Sequence, residues 1–300
     1  MPTDRMRVSV VVPAYNAGER LMQCVGSIMM QTYPAAEIIV VDDGSVDETA
    51  SYVDTASSAG RIVGVHIVHA GRSAARNAGI AVARGEIIAF IDADCVAEPD
   101  WLAHLVAEFT DEKVVGVSGR VVYGAYGYAP AYYERVVENP DASWPMSGNC
   151  AYRAEILRMI DGFDETFDRY EDKELALRVW HFGEIARAPR AVVFHQVTGQ
   201  VWPDLAYADS SAAWVRLARR HALSRDRNNP APMWGPVLMP RKYGALVKRV
   251  ARLPWTLRAR KSPDAHVRAR AAWELRWIRF LLAERAAIWR AALRERVLIV

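Results

Sequence analysis

The chain is poor in cysteine, and this scarcity excludes two classes of small stabilised fold. Three of its 300 residues are cysteine, and Cys24, Cys95 and Cys150 form no CxxC pair. Their odd number and wide spacing predict neither a disulfide framework nor a zinc site. We therefore expect three buried, reduced thiols, as in proteins of a reducing compartment.

Signals for export and for membrane insertion are also lacking. The first residues, MPTDRMRVSVVVPAY, do not present the basic, apolar and cleavage regions of a signal peptide in that order. No run of about eighteen apolar residues occurs, so the sequence predicts no transmembrane helix. From these absences we expect a cytoplasmic protein, either free or peripheral on the inner face of the membrane.

Two glycine-rich phosphate-binding motifs are absent. No GxGxxG follows the first predicted strand, which disfavours a dinucleotide-binding fold. No GxxxxGK[ST] occurs, which excludes a P-loop nucleotide hydrolase.

Charge is distributed unevenly, although the formal net charge is only +3. Residues 241–300 contain 16 Lys and Arg against 4 Asp and Glu, so the rest of the chain is net acidic. A basic segment on an acidic body predicts an anionic partner, which is a membrane surface, a nucleic acid or an acidic subunit. No recognised nucleic-acid motif accompanies the charge, so nucleic acid is the weakest of these options.

Apolar runs and helical patterns alternate within the first hundred residues. Hydrophobic residues make up 52% of the chain, which is ample for a buried core. The patterns predict strands at 8–15, 37–44, 61–68 and 86–95, and helices at 17–31, 47–59 and 72–85. This alternation predicts an α/β fold, with a mostly parallel sheet flanked by helices.

Polar residues follow three of these strands. Asn16 follows the first, Asp42 and Asp43 end the second, and Asp92 and Asp94 end the fourth. Ligands of open α/β sheets bind beyond the carboxyl ends of the strands. Asp and Asn also favour strand-to-helix turns for conformational reasons, so the shared edge is the stronger indication of a site.

An acidic edge repels phosphate unless a cation lies between them. Sites for Mg²⁺ or Mn²⁺ combine one or two carboxylates with substrate phosphate oxygens. A cation would also relieve the repulsion between Asp92 and Asp94, about 1 kcal/mol at 4 Å even in water. The edge therefore predicts a nucleotide diphosphate bound through Mn²⁺ or Mg²⁺.

Five segments resemble glycosyltransferase family 2 in order and spacing. They are VVVPAYN, QTYPAAEIIVVDDGSVDET, GRSAARNAGIAVARGEIIAFIDADC, SGNCAYR and GFDETFDRYEDKELALR, and the resemblance covers residues 7 to 200. It implies a GT-A fold and a metal-dependent, inverting transfer of sugar from a nucleotide-diphospho-sugar, with a UDP-sugar as first choice. The acceptor would be a hydroxyl of a glycan, a lipid-linked molecule or a small molecule.

The resemblance implies a nucleotide site at the first two strands. Pro13, Ala14 and Tyr15 would line it, largely through their backbone. Asp43 matches the residue that accepts a hydrogen bond from the base, and an ionised carboxylate makes that bond charge-assisted.

Further matches imply contacts to diphosphate and metal. Arg76 would approach the base or the diphosphate, unless it pairs with a neighbouring carboxylate. Asp92 would contact the ribose or the metal, and Asp94 the metal. His195 would complete the coordination, and imidazole suits Mn²⁺ better than Mg²⁺. An ordinary hydrogen-bonded histidine at a strand end is the alternative for His195.

The resemblance places the sugar and the catalytic base in the second half of the site. Gly148 and Asn149 match the donor-sugar wall, where glycine allows close approach of the backbone. Asp172 matches the catalytic base, and Glu171 would orient the acceptor or the base. Simple charge complementarity at a helix N-terminus is the alternative for both carboxylates. Asp161 replaces the first glycine of the family's GGFDE stretch, which puts the local backbone in question.

Residues beyond 200 lose the resemblance. We predict a catalytic domain over residues 1–225 and a linker with a basic amphipathic helical tail over 226–300, broken by a Pro-rich stretch at 227–240. The tail predicts either an interfacial helix on an anionic membrane or helices that pack on the catalytic domain or on a second subunit. Its apolar residues favour one helix side, and they are Trp273, Trp277, Phe280, Leu281, Ile288 and Trp289.

Two rival functions use the same features. A sugar nucleotidyltransferase should carry a basic Gly-rich loop after its first strand, and VVPAYNAGER lacks one. A membrane- or partner-binding protein with an inactive nucleotide-binding domain would depend on the tail.

Residues 121–144, rich in Tyr and Gly, are where we expect acceptor identity to be encoded. Five other histidines have no comparable context and are interpreted as structural, and they are His66, His69, His104, His181 and His221.

Overall fold

A computed structural model of the chain describes residues 5–131, 134–197, 213–221 and 246–295. These residues form two compact units. The first contains the described residues up to Ala129 and those from Val136 to 197, and the second contains the others. The predicted domain boundary at 225 and the Pro-rich break at 227–240 lie outside the described residues, so both stay predictions.

Eight strands form one sheet in the described part of the first unit. In chain order they are β1 Val8–Ala14, β2 Glu37–Asp42, β3 Val63–His66, β4 Ile87–Ile91, β5 Cys95–Ala97, β6 Val114–Tyr123, β7 Asn149–Arg153 and β8 Glu184–His195. Their order across the sheet is β3-β2-β1-β4-β7-β6-β8-β5. The helices are α1 Glu19–Met29, α2 Thr49–Ser58, α3 Arg72–Val82, α4 Trp101–Val106, α5 Ala154–Met159 and α6 Glu171–Val179.

The N-terminal half of the sheet is parallel, as the alternating pattern predicts. Strand β1 pairs in parallel with both β2 and β4, and β2 pairs in parallel with β3. Strand β1 is buried on both faces, which explains its continuous apolar run. The predicted α/β fold class is confirmed.

Antiparallel strands complete the sheet. Strand β7 lies antiparallel between β4 and β6, while β8 pairs in parallel with β6 and antiparallel with β5. The β5–β8 register places Cys95 opposite His195. This pairing brings the end of the Asp92–Asp94 turn to the predicted histidine, one hundred residues further along the chain.

Helices cover both faces of the sheet and produce two apolar cores. Alternation along β1 sends Val10 and Val12 into a core with α1, α2 and α4. It sends Val11 into the other core, with α3, α5 and α6. Helices α3 and α6 therefore share one face, which is what allows their polar residues to meet. The three cysteines are free and buried, as expected for reduced thiols.

The described part of the second unit is helical. It contains α7 Ala213–His221, α8 Leu253–Ala259 and α9 Ala265–Glu295. Val215 of α7 packs against Ile288, Ala291 and Ala292 of α9. Among the residues described, no helix is both long and apolar enough to cross a bilayer.

Candidate active site

The loops after β1 and β2 are tied to each other. The backbone N–H of Asp43 donates to the carbonyl of Ala14. Asn16 adopts a left-handed backbone conformation, with φ 48°, which asparagine tolerates better than most residues. Its N–H donates to Ser45 Oγ, and its side-chain oxygen accepts from the N–H of Val46. These bonds fix the carboxyl ends of two neighbouring strands as one edge.

Asp43, the predicted base-binding residue, organises the loop before α3. One carboxylate oxygen accepts the N–H of Ala70 at 2.8 Å, and the other accepts the N–H of Gly71 at 3.0 Å. The His69 Nδ1 lies 3.0 Å from the second oxygen as well. Asp43 is buried, and the ring of Tyr15 stacks on that of His69 beside it, with centroids 4.1 Å apart.

Pro13 and Ala14 lie at the end of β1, as predicted for a nucleotide-site edge. Pro13 pairs with Val41 and Ala14 with Asp42 in the sheet register. Ala14 is buried, whereas Tyr15 is 47% exposed. Among these three residues, the ring of Tyr15 is therefore the group most open to a ligand.

Arg76 joins the sheet edge to helix α6. Its Nη2 donates to Asp92 Oδ1 at 2.7 Å, and its Nη1 donates to Glu171 Oε1 at 3.1 Å. The side chain is 1% exposed. Burial acts to raise the pKa of Asp92, but the charges of Arg76 and Arg72 outweigh it, so that pKa lies below its usual range. Asp92 is therefore held ionised.

Arg76 pairs with neighbouring carboxylates, which was the alternative to a contact with the base or the diphosphate, and that contact stays a prediction. The structure buries the guanidinium between two carboxylates from opposite parts of the site, Asp92 and Glu171, where the alternative had a surface charge. An unpaired buried charge is costly, so the three side chains stabilise one another as a set.

Asp94 faces His195, not Asp92. The Asp94 Oδ2 lies 3.4 Å from His195 Nε2. Burial raises the pKa of Asp94 above its usual value, and the negative charge of Asp92 adds to the rise although His195 opposes it. The environment thus separates the two neighbouring aspartates, with Arg76 compensating one and His195 the other.

In its neutral form, His195 directs a lone pair at Asp94. Its Nδ1 lies 3.0 Å from the carbonyl oxygen of Gln196, which can only accept, so Nδ1 carries the hydrogen. In the neutral ring, Nε2 is then an acceptor that faces a carboxylate. Two facing acceptors are the donor set that a divalent cation satisfies, and the carbonyl orients the ring as the hydrogen-bond partners of metal-bound histidines do.

The predicted three-residue metal cluster does not form in full. Within the part of the chain that the structure describes, no three His, Cys, Asp or Glu side chains come together as a metal-binding group. The reason is that Asp92 points to Arg76. The protein ligands that fit a cation are therefore Asp94 and His195, with Asp92 beside them.

Gly148 lies against the carboxylate of Asp92. A Cβ atom built on Gly148 would lie 2.9 Å from Asp92 Oδ2, so only glycine leaves the carboxylate its place. Gly148 thus lies beside Asp92, and its contact with the donor sugar stays a prediction.

The side chain of Asn149, for which a place in the donor-sugar wall stays a prediction, is fully buried. It accepts a hydrogen bond from Trp101 Nε1 and donates to the carbonyls of Arg120 and Ala191. All its side-chain hydrogen-bonding groups are used within the protein, so the side chain links β7 to α4, β6 and β8.

Asp172 is the second residue of α6 and follows Glu171. Its Oδ1 accepts the N–H of Lys173 at 2.7 Å. Burial and the negative charge of Glu171 raise the pKa of Asp172 to about 6. A carboxylate with that pKa is ionised at neutral pH yet basic enough to take a proton efficiently.

Aromatic rings surround the residue after Asp172. The ammonium of Lys173 lies 5.4 Å from the ring centroids of both Trp144 and Tyr170. Trp144 also meets Trp180 edge to face, with centroids 5.1 Å apart. Tyr170 has a left-handed backbone, with φ 62°, an uncommon and costly conformation that fixes the start of α6. Trp144, the last residue of the segment predicted to encode acceptor identity, thus lies beside the start of α6.

Sequence reasoning missed a buried ion pair under the site. Arg178 donates to both carboxylate oxygens of Glu174, which is fully buried, and to the carbonyls of Ile160 and Gly162. The spacing of four residues on a helix was the available signal. The pair attaches the turn around Gly162 to α6.

Comparison with protein families and relatives gives consistent matches. A family sequence model described as Glycosyl transferase family 2 matches residues 9–159. An uncharacterized glycosyltransferase, alr2836, of Nostoc sp. is 30% identical over 53% of this chain and 54% of its own length. The pre-mycofactocin glycosyltransferase of Mycobacterium tuberculosis is 29% identical over 95% of this chain and 63% of its own length. The chain thus spans less than two thirds of either relative.

Solved structures share the architecture. A mannosyltransferase from Pyrobaculum calidifontis, in complex with GDP-Man and Mn²⁺, matches with a TM-score of 0.64 and 21% identity, over 96% of this chain and 88% of its own. GalNAc-T7 with UDP, GalNAc and Mn²⁺ matches with a TM-score of 0.53 and 20% identity, over 76% of this chain and 53% of its own. At such identities the likeness establishes the fold.

Proposed function

This chain belongs to glycosyltransferase family 2 and is a glycosyltransferase of the GT-A fold, and from that premise we propose that it is a metal-dependent, inverting enzyme. It would move a sugar from a nucleotide-diphospho-sugar, with a UDP-sugar as first choice, to an acceptor hydroxyl. The observation that carries the proposal is the buried Arg76, which binds Asp92 at the sheet edge and Glu171 beside Asp172. One network of ion pairs thereby connects the predicted donor-binding residues with the predicted catalytic base.

Asp172 and Glu171 supply the groups needed for a single displacement. As the acceptor oxygen bonds to the anomeric carbon, Asp172 takes the hydroxyl proton and the bond from that carbon to the diphosphate breaks. One base and one displacement invert the anomeric centre, whereas retention through a covalent intermediate would need a nucleophile as well. Glu171, fixed by Arg76 at 3.1 Å, raises the basicity of Asp172 through its charge.

The residues at the carboxyl ends of the strands orient the nucleotide of the donor. The exposed ring of Tyr15 offers a stacking face, and Asp43 offers a carboxylate to the base. Asp94 and His195 would hold Mn²⁺ or Mg²⁺, and such a cation, when bound, supplies positive charge to the departing diphosphate. The paired acceptors of Asp94 and His195, 3.4 Å apart, support this assignment.

A calorimetric titration of the full chain tests the donor and the metal together. UDP-sugars and GDP-sugars are titrated with Mn²⁺ present and again in excess chelator. We expect binding of one nucleotide class with Mn²⁺ and its loss in chelator. Binding that persists in chelator would refute the metal assignment, and no binding of any nucleotide-sugar would refute the donor assignment.

We propose that the second unit binds an anionic membrane surface, which suits a peripheral enzyme with a lipid-linked acceptor. The apolar side of α9 predicted to face lipid is largely packed instead, since Phe280, Leu281 and Ile288 are buried. Leu282, Trp289 and Leu293 of α9 are exposed, and a second group of exposed apolar residues lies earlier, at 247–257. The members of that group are Val247, Val250, Trp255 and Leu257. Basic residues Lys248, Arg252, Arg258, Arg260 and Lys261 accompany them, as in interfacial helices.

A further inference from the structure

The imidazole of His69 has the surroundings of a bound nucleobase. It lies nearly parallel to the ring of Tyr15, with 4.1 Å between centroids and 25° between planes. Its Nδ1 is 3.0 Å from Asp43 Oδ2 and 3.0 Å from the backbone carbonyl of Asp43. Both of these oxygens accept, so Nδ1 carries the hydrogen and donates it to the backbone carbonyl of Asp43. The site thus already contains a stacked heterocycle that gives its ring N–H to Asp43 and whose ring nitrogen lies 3.0 Å from a carboxylate oxygen.

The imidazole is also the movable member of this arrangement. The side chain of His69 is 54% exposed, whereas that of Asp43 is 4% exposed. The hydrogen bonds to the Asp43 carboxylate come from backbone N–H groups, those of Ala70 and Gly71. The His69 backbone packs closely on Gly44, where an added Cβ would lie 2.8 Å from the His69 nitrogen. Rotation of the side chain alone would therefore free both Tyr15 and the carboxylate.

We propose that His69 is an intramolecular stand-in for the donor's nucleobase, and that a nucleoside diphosphate binds by displacing its ring from Tyr15 and Asp43. This inference rests on the proposed function. Sequence patterns alone assign His69 no such role, because its meaning depends on two residues that lie more than 25 positions away.

The stand-in also defines the class of base. The incoming base must stack on Tyr15 and present a ring N–H to Asp43, as the imidazole does. Uracil and thymine have such a group at N3, and guanine has it at N1. Adenine and cytosine present a lone pair on the corresponding ring nitrogen, which would face the carboxylate unfavourably. The donor is therefore a uridine, thymidine or guanosine diphosphate sugar.

Displacement lowers the apparent affinity, because the nucleotide binds only the fraction of molecules whose imidazole has rotated away. One hydrogen bond at a partly exposed site corresponds to about a threefold to tenfold effect. Removing the imidazole should therefore tighten nucleotide binding. If His69 is instead a wall of the pocket, its removal should weaken that binding.

Calorimetry on the full chain distinguishes these outcomes. UDP, GDP, ADP and CDP are titrated with Mn²⁺ into the natural chain, His69→Ala and the control His104→Ala. We expect UDP or GDP to bind the His69→Ala chain about threefold to tenfold more tightly, the control to be unchanged, and ADP and CDP to bind poorly to all three. Unchanged or weaker binding of UDP and GDP to His69→Ala would overturn the proposal, and so would tight binding of ADP or CDP.

Proton NMR of the histidine rings gives a second readout. Stacking on Tyr15 shifts the His69 ring protons upfield, and the His69→Ala spectrum identifies them. Addition of UDP should move them to the positions of an unstacked ring. If UDP binds and these protons stay shifted, His69 is not displaced, although the proposed function stands. If no nucleoside diphosphate binds the natural chain or His69→Ala, the proposed function fails as well.

Discussion

At the scale of single residues, Asp172 has the surroundings of a general base. It lies beside Glu171, and its carboxylate is fixed by the N–H of Lys173. We predict that Asp172→Asn leaves nucleotide-sugar binding nearly intact while turnover falls by about 10² or more. Calorimetry and a nucleoside diphosphate release assay measure the two quantities. Asp161→Asn, an exposed change nearby, is the control, and unchanged turnover in Asp172→Asn would remove Asp172 from the mechanism.

The pKa of Asp172 also predicts a pH dependence. Burial and Glu171 raise this pKa to about 6, and only the ionised carboxylate accepts a proton. Turnover should therefore be level near neutral pH and fall about tenfold per unit below pH 6. A profile of kcat against pH on the natural chain measures it. A rate that does not decrease down to about pH 5 would contradict the assignment.

Gly148 controls the position of Asp92. An alanine Cβ there would approach Asp92 Oδ2 to 2.9 Å, and Arg76 limits how far that carboxylate can shift. We predict that Gly148→Ala weakens donor binding about tenfold or more, since small misplacements at a site are costly. Gly26→Ala is the matched control, because its Cβ would meet nothing within 4 Å. Equal donor binding by the two variants would show that Asp92 tolerates the displacement.

At the scale of elements, α6 is attached to the turn before it by a buried ion pair. Arg178 donates to Glu174 and to the carbonyls of Ile160 and Gly162. Arg178→Leu removes the cation that binds the buried Glu174 carboxylate, so we predict a loss of about 3 kcal/mol in the free energy of unfolding. Urea unfolding measures it.

Arg7→Leu provides the comparison for that variant. Arg7 and Glu86 are both exposed and 3.9 Å apart, so this change should cost less than about 1 kcal/mol. If both variants lose the same stability, the buried pair is not the anchor of α6.

Sequence patterns predicted the elements of the parallel half well. The helix expected at 72–85 is Arg72–Val82, and the strand expected at 61–68 is Val63–His66. Both follow from the local periodicity of apolar residues, which burial against one sheet imposes. The antiparallel strand β7 was not predicted as such, because its pairing with β4 and β6 joins distant segments.

At the scale of the whole molecule, the second unit combines exposed apolar and basic residues. We predict that the full chain binds vesicles containing phosphatidylserine and not vesicles of phosphatidylcholine alone. Replacing both Trp255 and Leu257 by Ser should reduce that binding about tenfold or more, because their exposed area is what would enter the interface. Vesicle sedimentation measures it.

Met30→Ser is the control for the vesicle experiment. Met30 is 79% exposed but belongs to the first unit, so its replacement should leave vesicle binding unchanged. If the double variant sediments like the natural chain, the segment has another partner. Light scattering over a range of protein concentrations would then identify self-association, the alternative partner that the sequence suggested.

The sequence by itself determined the fold class, the family and the edge where the site lies. These depend on patterns contained within short stretches, namely apolar periodicity and the residues that end each strand. Only the tertiary structure decided what the site residues contact. Arg76 and Glu171 are 95 positions apart, and Asn149 is 48 from Trp101, so their pairing depends on which helices and strands pack together. That is why the contacts of Arg76, Asn149 and His69 could not be predicted from the sequence.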